Sequence, residues 1–161
     1  MENMIFRPAM EADLQLIASF PVSEDELFYV YPEASYPLTT KQMLANFVSR
    51  KGNSVLEVDG KPAAYANYIS IDKGNDAVIG NVIVDPSLRG KGIGINLLTH
   101  MMDVAAKEFG AKKAVIPCFN SNTSGLIFYH NLGFLPFSSE IRQKENGKHE
   151  VLLYLQKSIK C

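Results

Sequence analysis

Two hydrophobic periods alternate along the chain, and their order predicts a layered fold. Ile5 to Arg7 reads as a short first strand, and Met10, Leu14, Ile17 and Ala18 then recur at helical spacing up to a break at Pro21. Ser23 followed by Glu24, Asp25 and Glu26 predicts a helix start, since an N-cap hydroxyl and nearby carboxylates suit the positive end of a helix. Tyr31-Pro32 and Tyr36-Pro37 punctuate a loop, after which Thr40 opens a helix through Met43, Leu44, Phe47 and Val48. Beyond Gly52 the period shortens. Ser54 to Val58 and Ala63 to Ile71 read as strands joined by an Asp59-Gly60 hairpin turn, and Lys73-Gly74-Asn75 leads into a third strand, Ala77 to Val84. Pro86 ends that strand because it supplies no ladder donor. Leu98, Met101, Met102, Ala105, Ala106 and Phe109 then fall on one face of a helix closed by Gly110. Lys113 to Phe119 is the next strand, and Asn122 to Asn131 a helix ended by Gly133. Phe134 to Arg142 and His149 to Leu155 pair across Glu145-Asn146-Gly147-Lys148. Helices, an antiparallel meander, strand–helix–strand–helix and a closing hairpin make an α/β sandwich with a mixed sheet.

Neither repeats nor low-complexity tracts interrupt this order, so residues 1–161 are expected to form one domain. A hydrophobic fraction of 47% is ample for its core. The formal net charge is −1 with both signs interspersed, which argues against a nucleic-acid partner held by broad phosphate neutralisation and leaves room for a local basic patch that holds one small anion. No apolar run approaches the ~20 residues of a membrane span, and Glu2, Arg7, Glu11 and Asp13 interrupt the start where a signal peptide would be apolar. Cys118 and Cys161 form neither a disulfide framework nor a metal-ligand spacing. A cytoplasmic protein without membrane contact or metal is expected.

Candidate chemistry concentrates in Val82-Ile83-Val84-Asp85-Pro86-Ser87-Leu88-Arg89-Gly90-Lys91-Gly92-Ile93-Gly94, a strand running through a glycine-rich loop into an amphipathic helix. Glycines let the backbone turn its N–H groups inward, and helix N-terminal N–H groups with the helix dipole form a phosphate site. Arg89 and Lys91 add positive charge. The nucleoside-triphosphate loop requires Ser or Thr after Gly-Lys, where this chain has Gly92. The dinucleotide fingerprint requires a glycine where this chain has Ile95 or Leu97.

Arg89-x-x-Gly92-x-Gly94, preceded by Val84-Asp85-Pro86, resembles the acetyl-CoA motif of the GNAT superfamily of N-acetyltransferases. Asn122, then Tyr129, then Gly133-Phe134 resembles that family's second signature, in the expected order and separated by one helix and one strand. The resemblance covers roughly Ala77 to Phe134. It implies a mixed, mostly antiparallel sheet with a splayed parallel strand pair and helices on both faces. It further implies that the backbone of Val82, Ile83 and Val84 binds the pantetheine arm of acetyl-CoA as an added strand would. The N–H groups of Gly90, Lys91, Gly92, Ile93, Gly94 and Ile95 would then hold the pyrophosphate beside Arg89, and Asn122 would contact the cofactor as well as cap a helix. A free amine would attack the thioester directly in a ternary complex, with a backbone N–H near Val82 facing the developing oxyanion. Tyr129 falls at the family's position for the donor to the departing sulfur. Its other reading is an aromatic packed under the last strands.

The family's usual base positions hold no acid here, falling at Pro117 and near Val78 to Gly80, and the base stays unassigned. On the acceptor side, Asp25 and Glu26 would attract a cationic amine against a wall that includes Tyr29 and Tyr31, although a solvated helix start followed by core aromatics explains the same residues. His100, His130 and His149 share no spacing, and Cys118 amid Val115, Ile116 and Phe119 reads as a small buried hydrophobe. The expected acceptor is a small-molecule primary amine. Acetylation of a protein N-terminus or lysine is one alternative, and a catalytically silent acyl-CoA-binding module another. By analogy with the family, two copies are expected to pair.

Overall fold

The structure is a computed structural model that describes residues 3–160, so Glu2 and Cys161 lie outside it. Seven strands form one sheet: β1 (Met4–Pro8), β2 (Lys51–Val58), β3 (Lys61–Asp72), β4 (Asp76–Val84), β5 (Lys113–Phe119), β6 (Leu135–Gln143) and β7 (His149–Ser158), in spatial order β1-β2-β3-β4-β5-β7-β6. Every neighbouring pair is antiparallel except β4 and β5, which run parallel. The Asp59-Gly60 turn between β2 and β3 has both residues at positive φ, 51° and 83°, as a two-residue hairpin turn matched to strand twist demands.

The helices divide between the two faces. α4 (Ile93–Phe109) buries Leu97, Leu98, Met101, Met102 and Ala105 with Ala64, Ala66, Tyr68, Ala77, Ile79, Ala114 and Ile116. The small alanines of β3, β4 and β5 let this helix lie close to the sheet, and the Tyr68 hydroxyl donates to the Met101 carbonyl at 2.6 Å. Gly110 ends the helix at φ 65°, with the Ala111 N–H closing back on the Ala105 carbonyl.

On the other face, α1 (Leu14–Ile17) and α3 (Thr40–Ser49) bring Leu14, Ile17 and Met43 to Phe20, Val55, Tyr65 and Ile83. The first predicted helix is shorter than its periodicity implied, since Glu11–Asp13 is a 3₁₀ turn. Asp13 there turns inward to accept two hydrogen bonds from Arg7, each at 2.8 Å, and one from the Met10 N–H at 2.7 Å. α2 (Glu24–Val30) and α5 (Thr123–Asn131) flank the region where β4 and β5 part. Along β6, the outer strand, every residue is exposed.

Candidate active site

β4 and β5 hold each other through Asp76, Ala77 and Val78 opposite Lys113, Ala114 and Val115, and then diverge. Beyond Val78 the edge of β4 that faces β5 has no strand to bond. The opposite edge of β4 is irregular over the same stretch. The β3–β4 register slips between Tyr68 and Ser70 and again between Tyr65 and Asn67, and Asn81 adopts φ 52°, a left-handed conformation that asparagine tolerates better than most residues. The Asn81 side chain fixes that kink: its amide donates to the Val30 carbonyl at 2.7 Å, and its oxygen accepts from Asn67 at 2.9 Å. Asn67 is fully buried, and its amide also reaches the side-chain oxygens of Asn46, Asn53 and Tyr65. The parted strands border a cavity of about 420 Å³ whose walls include Gly80, Asn81, Val82, Pro117, Cys118 and Tyr129.

The glycine loop leads from the end of β4 into α4. Asp85 accepts from the N–H and hydroxyl of Ser87, shaping the turn at Pro86–Leu88. Gly90 and Gly92 then take φ 79° and 81°, where a side chain would be strained. A carbon added at Gly94 would come within 3.1 Å of the Phe128 ring, so this glycine permits α5 to approach α4. Three helices are capped by a preceding side chain: α2 by Ser23, α3 by Thr39 and α5 by Asn122. α4 starts from Gly92 with no side-chain cap and no acid in its first turn. Its leading N–H groups have no intrahelical acceptor, and they carry the positive end of the dipole of the longest helix here.

Arg89 occupies itself differently from the sequence expectation. Its guanidinium clasps both carboxylate oxygens of Glu26 and donates to the Phe20 and Val84 carbonyls, tying the loop to α2. Lys91, by contrast, is exposed and forms no ion pair among the described residues. Of the three apolar residues that end β4, Val82 lines the cavity, Ile83 is buried on the α1–α3 face, and Val84 packs toward α4. Ile93 is buried, and Ile95 is exposed.

Tyr129 lines the cavity from α5, its ring edge-on to Phe128 and Phe134 at centroid distances of 5.4 and 6.2 Å. Its hydroxyl has no hydrogen-bond partner among the described residues. Burial, with the nearby Cys118 thiol adding, pushes the phenol well above its ordinary value, so it stays protonated. Cys118 is itself buried, and desolvation raises its thiol to about 11, far from the range of a reactive thiolate. Asn122 lines the same cavity while its oxygen accepts from the Gly125 N–H at 3.1 Å. A carbon on Gly125 would collide with that side chain, which explains the glycine one turn into α5.

Tyr29, Tyr31, Glu33, Arg50, Arg142 and Tyr154 also line the cavity. The acids expected there are distributed otherwise. Asp25 borders a neighbouring concavity of about 600 Å³ that shares Pro32, Glu33, Phe119 and Arg142 with the first, and Glu26 holds Arg89. Among the described residues lining the main cavity, the carboxylate is that of Glu33. Glu33 and Arg50 carried no sequence signal: an acid in a loop and an arginine closing a helix each look ordinary. Only the mid-strand Asn81, poor in strand propensity, hinted at a bulge.

His100 stacks on Phe6 at a centroid distance of 4.2 Å and is not among the residues that line the main cavity. The described residues contain no cluster of three or more His, Cys, Asp or Glu side chains suited to a metal, and no helix long and apolar enough to cross a membrane.

A family profile described as Acetyltransferase (GNAT) family matches residues 17–134. The chain is 36% identical to an uncharacterized N-acetyltransferase of Methanocaldococcus jannaschii over 88 residues, 52% of this chain and 38% of that one. It is 31% identical to the ribosomal protein bS18 alanine N-acetyltransferase of Escherichia coli over 101 residues, 62% of this chain and 66% of that one. Both matches thus span less than two thirds of the relative's length. In three dimensions, the spermidine N-acetyltransferase of Vibrio cholerae, solved with CoA and spermine, superposes with a TM-score of 0.79 at 16% identity, covering 97% of this chain and 95% of that one. That likeness concerns the fold.

Proposed function

The chain belongs to the GNAT acetyltransferase family, and from that membership we propose that it transfers an acetyl group from acetyl-CoA to a small-molecule primary amine within a ternary complex. One observation carries the reading: a cavity, an unpaired strand edge and an uncapped helix N-terminus follow one another from β4 into α4. These suit, in order, a reacting thioester, an amide-bearing arm and a diphosphate.

Acetyl-CoA supplies an acyl group already activated as a thioester. The chain supplies position and charge. The N–H groups from Gly90 to Ile95 receive the diphosphate, with Lys91 adding charge, and the free edge of β4 at Val82 to Val84 aligns the arm. Arg89 acts at one remove, because by holding Glu26 and two carbonyls it sets the course of the loop. Asn122 borders the same path. At the cavity, Glu33 offers a carboxylate toward which an ammonium is drawn and through which its proton can leave. Tyr129, kept protonated by burial, directs its O–H at the departing sulfur. With so reluctant an acid, hydrogen bonding to the sulfur is the main contribution, and solvent completes the protonation.

Calorimetry with coenzyme A, followed by thiol release from acetyl-CoA with a panel of amines, tests this. Tight binding with amine-dependent thiol release supports it. Binding without release for any amine would leave an acyl-CoA-binding module. The likeness to the bS18 alanine acetyltransferase favours one second reading, acetylation of a protein N-terminus. A peptide beginning with alanine belongs in the panel, and its use in preference to every small amine would establish that reading. The fully exposed β6, with Leu135, Phe137 and Ile141 outward, supports a homodimer, which light scattering checks.

A further inference from the structure

Four arginines occur in the chain, and three are ion-paired: Arg7 with Asp13 and Glu57, Arg89 with Glu26, and Arg142 with Glu140. Arg50 is the exception. Its backbone ends α3, and its guanidinium lies half-buried on the wall of the main cavity. Nη1 is shut off from solvent without a hydrogen-bond partner among the described residues. It borders β4 where β4 and β5 have parted, for a carbon built on Gly80 would stand 3.0 Å from Nη1. Burial weakens the guanidinium's hold on its proton, opposed by attraction from Glu33, which stays beyond ion-pairing distance.

A half-buried guanidinium with no ion pair and one unpartnered nitrogen is under-compensated in a resting fold, and its planar fork of donors matches a carboxylate. It shares the cavity with Val82, Tyr129 and the one lining carboxylate, Glu33. We infer that Arg50 receives a carboxylate of the acceptor, so the acceptor is an amino acid or a similarly small amine that carries its own acid. Arg50 and Glu33 then present opposite charges to the two ends of a zwitterion. A polyamine would find Arg50 repulsive. This inference rests on the proposed acetyl transfer and narrows it.

The test measures thiol release from acetyl-CoA with the twenty common amino acids, their primary amides, putrescine and spermidine, alongside coenzyme A calorimetry. An acid should be used over its amide by on the order of 100-fold in kcat/KM, as expected when a buried charge-assisted hydrogen bond is lost. In Arg50→Gln that ratio should shrink to a few-fold, mainly through a higher KM for the acid, while Arg50→Lys keeps part of it. Should Arg50→Gln fail to fold, the ratio in the unaltered protein decides alone. If coenzyme A does not bind, the transferase reading falls and this inference with it. If coenzyme A binds but amides or polyamines are used as well as acids, or no acid is used, the role given to Arg50 is overturned and the transferase reading stands apart.

Discussion

Asn67 donates its side-chain amide to the side-chain oxygen of Asn81 across 2.9 Å, linking the middle of β3 to the bulge of β4. Asn81 in turn donates to the Val30 carbonyl at the end of α2. A buried polar chain therefore runs from the sheet interior to the wall of the cavity, and it holds the only left-handed asparagine among the described residues.

Replacing Asn67 by leucine removes the two amide protons shared among Asn46, Asn53, Tyr65 and Asn81, while Asn53 keeps the Tyr65 hydroxyl and Asn81 loses its donor in a dry setting. Each buried polar group so abandoned costs roughly 1–3 kcal/mol. Urea unfolding of Asn67→Leu should show a loss of at least about 2 kcal/mol. Substrate turnover should suffer beyond the stability loss, because Asn81 on the cavity wall loses its anchor; full activity in the folded fraction would disconnect the network from the site.

Alanine at Gly92 must adopt φ 81°, which costs on the order of 1–3 kcal/mol. The loop can escape that strain by turning its N–H groups away. Gly92→Ala is expected to weaken coenzyme A binding about tenfold in calorimetry. Gly60→Ala, at φ 83° in a hairpin remote from the cavity, should lower stability alike and leave coenzyme A affinity as it was. Equal affinity in both variants would separate the loop from the diphosphate.

Tyr129→Phe keeps the ring contacts with Phe128 and Phe134 and removes only the hydroxyl. kcat should fall by roughly 10- to 100-fold, the size of one hydrogen bond lost from a developing thiolate, with coenzyme A affinity little changed. Undiminished kcat would make the tyrosine a packing residue.

Acid stability should report on Asp13. The Arg7 guanidinium, aided by the Met10 N–H, holds this carboxyl below its ordinary value against the opposing effect of burial. A carboxyl whose folded value is depressed stabilises the protein fully above its unfolded value of ~3.9 and loses that contribution as pH falls through the folded value. Asp13→Asn should cost about 2 kcal/mol at pH 7 and flatten the decline in melting temperature below about pH 4. A variant that kept the same acid-limb slope would assign that limb to other carboxylates.

The element order and most strand limits were legible because period-2 and helical patterns, hairpin glycines and caps agree locally. The glycine loop was equally plain, since its conformation is demanded by residues adjacent in sequence. Arg50 and Glu33 were not, because their shared wall arises from the α2–α3 connection folding over a distant pair of strands. Glu26 reads as an exposed first-turn acid, and only tertiary structure brings it to Arg89. Asp13 similarly resembles a solvated helix-start residue until β1 delivers Arg7 to it.

The three-rung junction between β4 and β5 has a thermodynamic corollary. Along this seam the fold is an incomplete ladder, and a long amide-bearing guest laid into it acts as the missing rail. Whatever fills the seam binds the folded chain alone, so it shifts the unfolding equilibrium by mass action, about 2.7 kcal/mol at a hundred times its dissociation constant. The concentration of the proposed coenzyme would then set how long the fold survives as well as how fast it works.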